Sequence, residues 1–163
     1  MNNRIQNTTE VLKKCDEYLV TCTGKLVIMN CYLPQQGRFW VDHRYTEAID
    51  ELIELADTLG NEYSFVLAGD FNSRGPNEHD FKRLIETLEL HNASEHIADT
   101  FTYTHGKEKR ILHSKLDHVL TRYIIQEDIA SCEKTERFYK HGGHDVLDFR
   151  ACIPEGLRKM ECE

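Results

Sequence analysis

Hydrophobic and polar positions alternate along the first part of the chain in a pattern typical of paired strands. Glu17–Cys22 and Lys25–Leu33 predict two strands, and Thr23-Gly24 between them predicts a short hairpin turn. Lys25–Leu33 is largely apolar on both faces, which is typical of a strand inside a layered fold. We therefore expect an interior strand of a layered fold.

The middle of the chain changes to helical spacing. Residues 42–59 predict a helix, with Asp42 as the N-terminal cap and Gly60 at the C-terminal cap. The acidic residues of this helix share one face, and such a run is typical of a solvated surface. A short apolar strand, Tyr63–Ala68, follows, and residues 78–90 predict a second helix.

The last part of the chain predicts mainly strands. They are Thr100–Thr104, Lys115–Arg122, Ile129–Phe138 and Val146–Ile153, with a charged hairpin at 105–110. The order of strands, helix, strand, helix and strands is typical of an α/β or α+β layered sandwich. A length of 163 residues indicates one domain.

Composition narrows the class of protein. Hydrophobic residues make up 40% of the chain and charged residues 29%, which indicates a globular protein. No apolar run approaches the roughly 20 residues of a membrane helix, and no signal peptide is visible. An intracellular protein, cytoplasmic or nuclear and without a membrane partner, is expected. The six cysteines lack C-x-x-C spacing and predict reduced, buried thiols rather than disulfides or a zinc site.

The formal net charge of −8 argues against a broad basic surface that binds nucleic acid. It does not argue against an enzyme that brings metal ions to phosphate. Such a site concentrates carboxylates, and bound divalent cations reverse the local charge. Three polar motifs at predicted strand ends supply candidate groups for a site of this kind.

The first motif, Gly69-Asp70-Phe71-Asn72, directly follows the apolar strand Tyr63–Ala68. Asp70 and Asn72 are two residues apart, so on an extended backbone their side chains point the same way. A carboxylate that binds metal or orients water, beside an amide that holds a phosphate oxygen, suits phosphate chemistry. The alternative is ordinary turn chemistry, in which Asp and Asn side chains bond their own backbone.

The second motif, Lys115-Leu116-Asp117-His118, opens a strand that is otherwise apolar. A carboxylate in that setting is costly unless it is paired, hydrogen-bonded or bound to metal. His118 is expected on the opposite face of the strand. The alternative is a strand with one polar face, in which Asp117 pairs with Lys115 or Arg122.

The third motif, His141-Gly142-Gly143-His144-Asp145, precedes the last predicted strand. The two glycines allow a close approach of the backbone, and His144 can act as a general base or bind a phosphate oxygen. The alternative is a glycine-rich turn with surface histidines.

Together with Asn30-Cys31-Tyr32-Leu33-Pro34, these motifs occur in an order that resembles the endonuclease/exonuclease/phosphatase superfamily. Within it, the chain looks most like the endonuclease domain of non-LTR (LINE-type) retrotransposons, as Thr100-Phe101-Thr102 also does. The resemblance covers residues 17–153, which leaves 1–16 as a non-conforming segment and 154–163 as a tail. It implies a four-layer αββα sandwich with the site at one edge of the two sheets.

The resemblance also implies an activity. It is hydrolysis of DNA phosphodiesters with Mg²⁺ or Mn²⁺, in a parent protein that can also carry a reverse-transcriptase domain. Tyr32 would be the active-site tyrosine, and Asp70 would orient or activate the water. Asn72 would hold phosphate, Asp117 would support the metal and the histidine, and His144 would contact the scissile phosphate.

Gln35 and Lys115 are further candidates for binding phosphate. Gln35 stands where the family often has Asn, and Gly142-Gly143 replaces the Ser-Asp that usually precedes the histidine corresponding to His144. The 31 residues before Tyr32 leave no room for the family's strand with the metal-binding Glu. An N-terminally truncated domain with an incomplete first sheet and little activity is therefore expected. The alternative is a catalytically dead fragment or a binding module that keeps the fold.

Overall fold

A computed structural model describes seven stretches of the chain, and the strands and helices below lie within them. The stretches are residues 9–35, 39–73, 79–95, 102–107, 110–124, 129–135 and 146–152. The elements of the first half are β1 (Thr9–Lys14), β2 (Tyr18–Thr23), β3 (Leu26–Tyr32), α1 (Phe39–Leu59) and β4 (Ser64–Asp70). Those of the second half are α2 (His79–Thr87), β5 (His91–Asn92), β6 (Tyr103–Lys107), β7 (Arg110–Ser114), β8 (Asp117–Arg122), β9 (Ile129–Thr135) and β10 (Val146–Ala151).

A six-stranded sheet in the order β1-β2-β3-β4-β8-β5 forms the centre of the fold. Strands β1, β2 and β3 form an antiparallel meander. Strand β4 lies parallel to β3, because helix α1 carries the chain back across the sheet between them. Strand β8 is antiparallel to β4, and the β6–β7 and β9–β10 hairpins form separate two-stranded sheets. The predicted mixture of helices and sheet, the α/β (α+β) class, is confirmed.

One face of the sheet packs against the helices and forms the core. Met29, Leu67 and Leu120 lie in one row across β3, β4 and β8, and all three are fully buried. Apolar side chains of both helices complete the cluster, including Tyr45, Ile49, Leu52, Phe81 and Leu84. An ion pair also joins the two helices, because the guanidinium of Arg83 on α2 lies 2.6 Å from the carboxylate of Asp50 on α1.

The other face of β3 is open among the described residues. Val27 and Met29 are fully buried, whereas Ile28 is 41% exposed and Tyr32 is 68% exposed. Strand β3 therefore lies inside the sheet, between β2 and β4, but among the described residues only one of its faces is covered, unlike the predicted interior strand of a layered fold. No helix of the described chain is long and apolar enough to cross a membrane.

Several element boundaries differ from those predicted. Helix α1 begins at Phe39, so Asp42 lies inside the helix and is not its cap. Helix α2 ends at Thr87, because Glu89 adopts a left-handed φ of +52° and the N–H of Leu90 bonds the carbonyl of Ile85.

The strand pattern also extends beyond the prediction at two places. Strand β1 lies within residues 1–16, which the resemblance left outside the domain, and its backbone pairs with β2 from Thr9 to Lys14. Strand β7 was not predicted; it pairs with β6 from Ser114 to Arg110. In both cases pairing with a neighbouring strand, rather than local apolar periodicity, defines the strand.

Candidate functional site

Three of the predicted site residues lie in one row at one end of the sheet. Tyr32 on β3 is the register partner of Asp70 on β4, and Asp70 is the partner of Asp117 on β8. Neighbouring strands lie about 4.8 Å apart, so the row spans roughly 10 Å from Tyr32 to Asp117. Because register partners point to the same face, all three side chains lie on the face opposite the helical core. Tyr32 is 68% exposed, Asp70 is 8% exposed and Asp117 is half-buried.

A glycine makes this row possible. Gly69 has a φ of +136°, and a Cβ built there would collide with the carbonyl oxygen of Cys31 on β3. Only a residue without a side chain lets β4 approach β3 this closely at the end that carries Asp70. Gly69 therefore allows β3 and β4 to pack closely at the position directly before Asp70.

Asp70 and Asn72 are bonded to each other. The backbone N–H of Asn72 donates to Oδ1 of Asp70 at 2.8 Å, and its Nδ2 lies 3.3 Å from Oδ2. Nδ2 also donates to the carbonyl of Leu33 at 2.7 Å. Asn72 has a φ of +46°, which Asn tolerates better than most residues. The turn between Asp70 and Asn72 that the sequence allowed as an alternative is thus present. The bond from Asn72 to Leu33 also connects this turn to the segment that follows Tyr32.

The backbone around Asp117 is held by a residue that the sequence motifs did not single out for this role. Oγ1 of Thr102 accepts hydrogen bonds from the N–H groups of Leu116 at 2.9 Å and Asp117 at 3.0 Å. The carbonyl of Leu116 accepts the N–H of Phe71 at 2.9 Å. The only sequence signal was the position of Thr102 in Thr100-Phe101-Thr102, shortly before the Asp117 strand.

Lys115 and Arg122, the two cations considered as partners of Asp117, each bond elsewhere. The ammonium of Lys115 donates to the carbonyl of Ser94 at 2.6 Å, and burial lowers the pKa of Lys115. Arg122 donates to the side-chain oxygen of Asn61 at 2.7 Å. Lys115 therefore anchors the turn after β5 to the start of β8.

His118 lies on the opposite face of β8 from Asp117, as the strand parity predicted. It is 1% exposed, and its ring lies 4.7 Å from that of Phe81 and 6.0 Å from that of Phe71. Desolvation, with a smaller effect of the charge of Lys115, lowers the pKa of His118 to about 4. A neutral His118 therefore packs beneath Phe71, the residue between Asp70 and Asn72.

The remaining predicted residues are placed as follows. Gln35 is exposed and lies three residues after Tyr32. His144, with Gly142 and Gly143 before it, lies outside the described residues.

The carboxylates of the row fit an open divalent-cation site rather than a closed one. Mg²⁺ is commonly held by one or two carboxylates, with water and substrate phosphate as its other ligands. Asp70 and Asp117 supply two carboxylates on neighbouring strands. Within the described part of the chain, no group of three or more His, Cys, Asp or Glu residues could hold a metal ion.

Comparison with known proteins gives the fold. No protein-family model and no curated protein matches the sequence. Many solved structures do match. One is a 3′ phosphatase from Neisseria bound to a product DNA hairpin, with a TM-score of 0.65 and 11% identity over 89% of this chain and 70% of that one. The chain shares the fold of these solved structures.

Two further similar structures are nucleases by name. An AP endonuclease from Archaeoglobus fulgidus has a TM-score of 0.62 and 15% identity over 85% of this chain. A 3′-5′ exonuclease from Neisseria meningitidis has a TM-score of 0.63 and 13% identity over 84% of this chain. The chain spans only 66% and 65% of the length of these two structures.

Proposed function

We propose that the chain is part of a metal-dependent phosphodiester hydrolase of the endonuclease/exonuclease/phosphatase type. The observation that carries the proposal is the row of Tyr32, Asp70 and Asp117 on one face at one end of the sheet. The motif order of the sequence and the fold shared with a 3′ phosphatase, an AP endonuclease and a 3′-5′ exonuclease support the same conclusion.

Each side chain of the row has a chemical role in this proposal. The carboxylate of Asp70, which the turn at Asn72 orients, would accept the proton of the attacking water or direct that water to phosphorus. The exposed phenol of Tyr32 would donate a hydrogen bond to a phosphate oxygen. Asp117 would hold Mg²⁺ or Mn²⁺, and the bound cation supplies charge neutralisation on the phosphate.

We propose roles for the other candidates on the same basis. Asn72, Gln35 and Lys115 would bind phosphate or substrate, and His144 would contact the scissile phosphate. Nδ2 of Asn72 already donates to Leu33 and Asp70, so binding phosphate through this group would require that one of these bonds be exchanged.

DNA is the proposed substrate. The supporting observation is that one structure with this fold holds a DNA hairpin product and another is an AP endonuclease. We further propose an origin in a retrotransposon nuclease, whose longer parent protein would also contain a reverse-transcriptase domain. The motif order and Thr100-Phe101-Thr102 support this finer assignment.

A DNA cleavage assay tests the proposal. The chain is incubated with supercoiled plasmid, an abasic duplex and a 3′-phosphorylated duplex, each with Mg²⁺, Mn²⁺ or EDTA. We expect weak, metal-dependent hydrolysis of at least one substrate, and its loss in Asp70→Asn and Asp117→Asn. Asp57→Asn is the matched control, because Asp57 is an exposed carboxylate on α1. Hydrolysis that survives both site substitutions would contradict the proposal.

The second candidate function is a binding module that keeps the fold without catalysis. It is favoured by the presence of only two carboxylates in the row and by Gly143 before His144. Fluorescence anisotropy with labelled DNA separates the two candidates. DNA binding that is unaffected by EDTA, with no cleavage at any metal concentration, would favour the binding module.

A further inference from the structure

The two edges of strand β8 are completed in different ways. On one side β8 pairs with β4 along its whole length, from Asp117 to Arg122. On the other side β5 pairs only with Leu120 and Thr121. The first half of β8, which carries Asp117, therefore obtains its hydrogen bonds on that side from other groups.

Along this edge, two side-chain hydroxyl oxygens accept backbone N–H groups that no neighbouring strand of the described chain bonds. Oγ of Ser94 accepts the N–H of Val119 at 3.3 Å. Oγ1 of Thr102 accepts the N–H groups of both Leu116 and Asp117, at 2.9 and 3.0 Å. The hydroxyl of Thr102 is thus the acceptor closest to the backbone of the site carboxylate.

The position of Thr102 is itself well defined. Its side chain is fully buried, and its own N–H donates to the carbonyl of Ser114 at 3.0 Å. A β-branched residue has few accessible χ1 rotamers, so a buried threonine holds its oxygen in one place. The acceptor for two consecutive N–H groups is therefore anchored from both its backbone and its side chain.

We propose that Thr102 is a positioning residue that keeps the carboxylate of Asp117 in register with Asp70. The inference rests on the proposed function, because it assigns Thr102 to the same site. Without its oxygen, two part-buried N–H groups would lose their acceptor, and the backbone would have to move to find another. Movement of the backbone would carry the Asp117 side chain out of the row.

Three substitutions of two threonines test the inference. Thr102→Val keeps the shape and removes the acceptor, whereas Thr102→Ser keeps the acceptor. Thr121→Val is the matched control, because Thr121 is equally buried on β8 and its Oγ1 donates to Ile124 at 3.0 Å, away from Asp117. Should Thr102→Val not fold, Thr102→Cys, with its poor sulfur acceptor, gives the same comparison.

Two measurements are made on each variant. The first is NMR of Asp117, namely its ¹³Cγ chemical shift and the exchange rates of the Leu116 and Asp117 amides. The second is kcat and KM for Mn²⁺-dependent DNA hydrolysis. In Thr102→Val we expect a displaced Asp117 signal, faster amide exchange and a kcat lower by roughly 10-fold to 100-fold. We expect KM to be unchanged, Thr102→Ser to resemble the parent, and Thr121→Val to keep the Asp117 signal and kcat.

The outcomes separate this inference from the proposed function. An Asp117 signal that is unchanged in Thr102→Val would overturn the inference, whatever the activity. An equal loss of kcat in Thr102→Val and Thr121→Val would also overturn it, since it would show a general loss of stability. Displaced Asp117 signals in Thr102→Val, with hydrolysis absent or insensitive to Asp70→Asn and Asp117→Asn, would support the inference and reject the proposed function.

Discussion

Asp70 and Asp117 lie directly opposite each other on the antiparallel strands β4 and β8. Two carboxylates at opposite positions of neighbouring strands repel each other, and this repulsion opposes folding. A divalent cation bound between them would offset this repulsion. The proposed cation site therefore uses the two carboxylates that the strand register places opposite each other.

Asp117→Asn should weaken the stabilisation of the protein by Mn²⁺. The cation binds the folded carboxylates, so a variant with roughly 10-fold weaker binding should gain about 1 kcal/mol less free energy of unfolding from saturating Mn²⁺ than the parent does. Urea unfolding with Mn²⁺ and with EDTA measures this gain, with Asp57→Asn as the control on an exposed helix face. An equal gain in the parent and in Asp117→Asn would contradict the prediction.

Gly69→Ala should unfold or strongly destabilise the protein. The new methyl group would collide with the carbonyl oxygen of Cys31, so a loss of about 3 kcal/mol or more is expected. Gly60→Ala is the matched control: Gly60 also has a positive φ, +82°, but nothing lies within 4 Å of its Cβ position. We expect this control to lose only about 1–2 kcal/mol in thermal or urea unfolding. Equal losses would show that backbone strain, and not the close approach of β3, explains Gly69.

His118 should make the stability of the protein depend on pH. Its pKa is lowered from 6.5 to about 4 in the folded state, so the unfolded chain binds more protons between these values. The stabilisation is complete above pH 6.5 and is lost as the pH falls toward 4, by up to about 3 kcal/mol. His118→Phe removes the titrating ring while keeping an aromatic group against Phe81. Unfolding measured in EDTA from pH 4 to 7 should show a flatter profile for the variant, and parallel profiles would count against the prediction.

Glu17 should also make the protein less stable as the pH falls, at a lower pH than His118 does. Both of its oxygens accept from Arg44, at 2.7 Å each, and this pairing holds the pKa of Glu17 at about 2. The stabilisation is present above pH 4.5 and is lost as the pH falls toward 2. Arg44→Lys breaks the two-pronged contact and should cost about 0.5–1 kcal/mol at pH 7, a small value because the Arg44 side chain is 36% exposed.

The control for Arg44 is Arg150→Lys, which alters an exposed contact with Asp148. We expect no measurable change in urea unfolding for this control at pH 7. The cost of Arg44→Lys should disappear as the pH approaches 2. A difference between parent and Arg44→Lys that persists at that pH would rule out the ion pair as its cause.

Much of the local structure could be predicted from the sequence alone. Gly24 marked the β2–β3 turn to within one residue, since the turn consists of Gly24 and Lys25, and helical spacing marked most of α1. Parity along β8 placed Asp117 and His118 on opposite faces, as the structure has them. These features depend on residues close together in the chain, so turn chemistry and hydrophobic period are sufficient to predict them.

The site itself depends on contacts between distant segments. Tyr32, Asp70 and Asp117 form a row only because the registers of β3, β4 and β8 agree, and a slip by one residue would send a side chain to the other face. The acceptor at Thr102 and the need for Gly69 arise in the same way, from a backbone brought close by tertiary packing. The sequence by itself determined which residue types stand at the strand ends. The tertiary structure decided which of them meet, because register is set by pairing across the whole sheet and not by local periodicity.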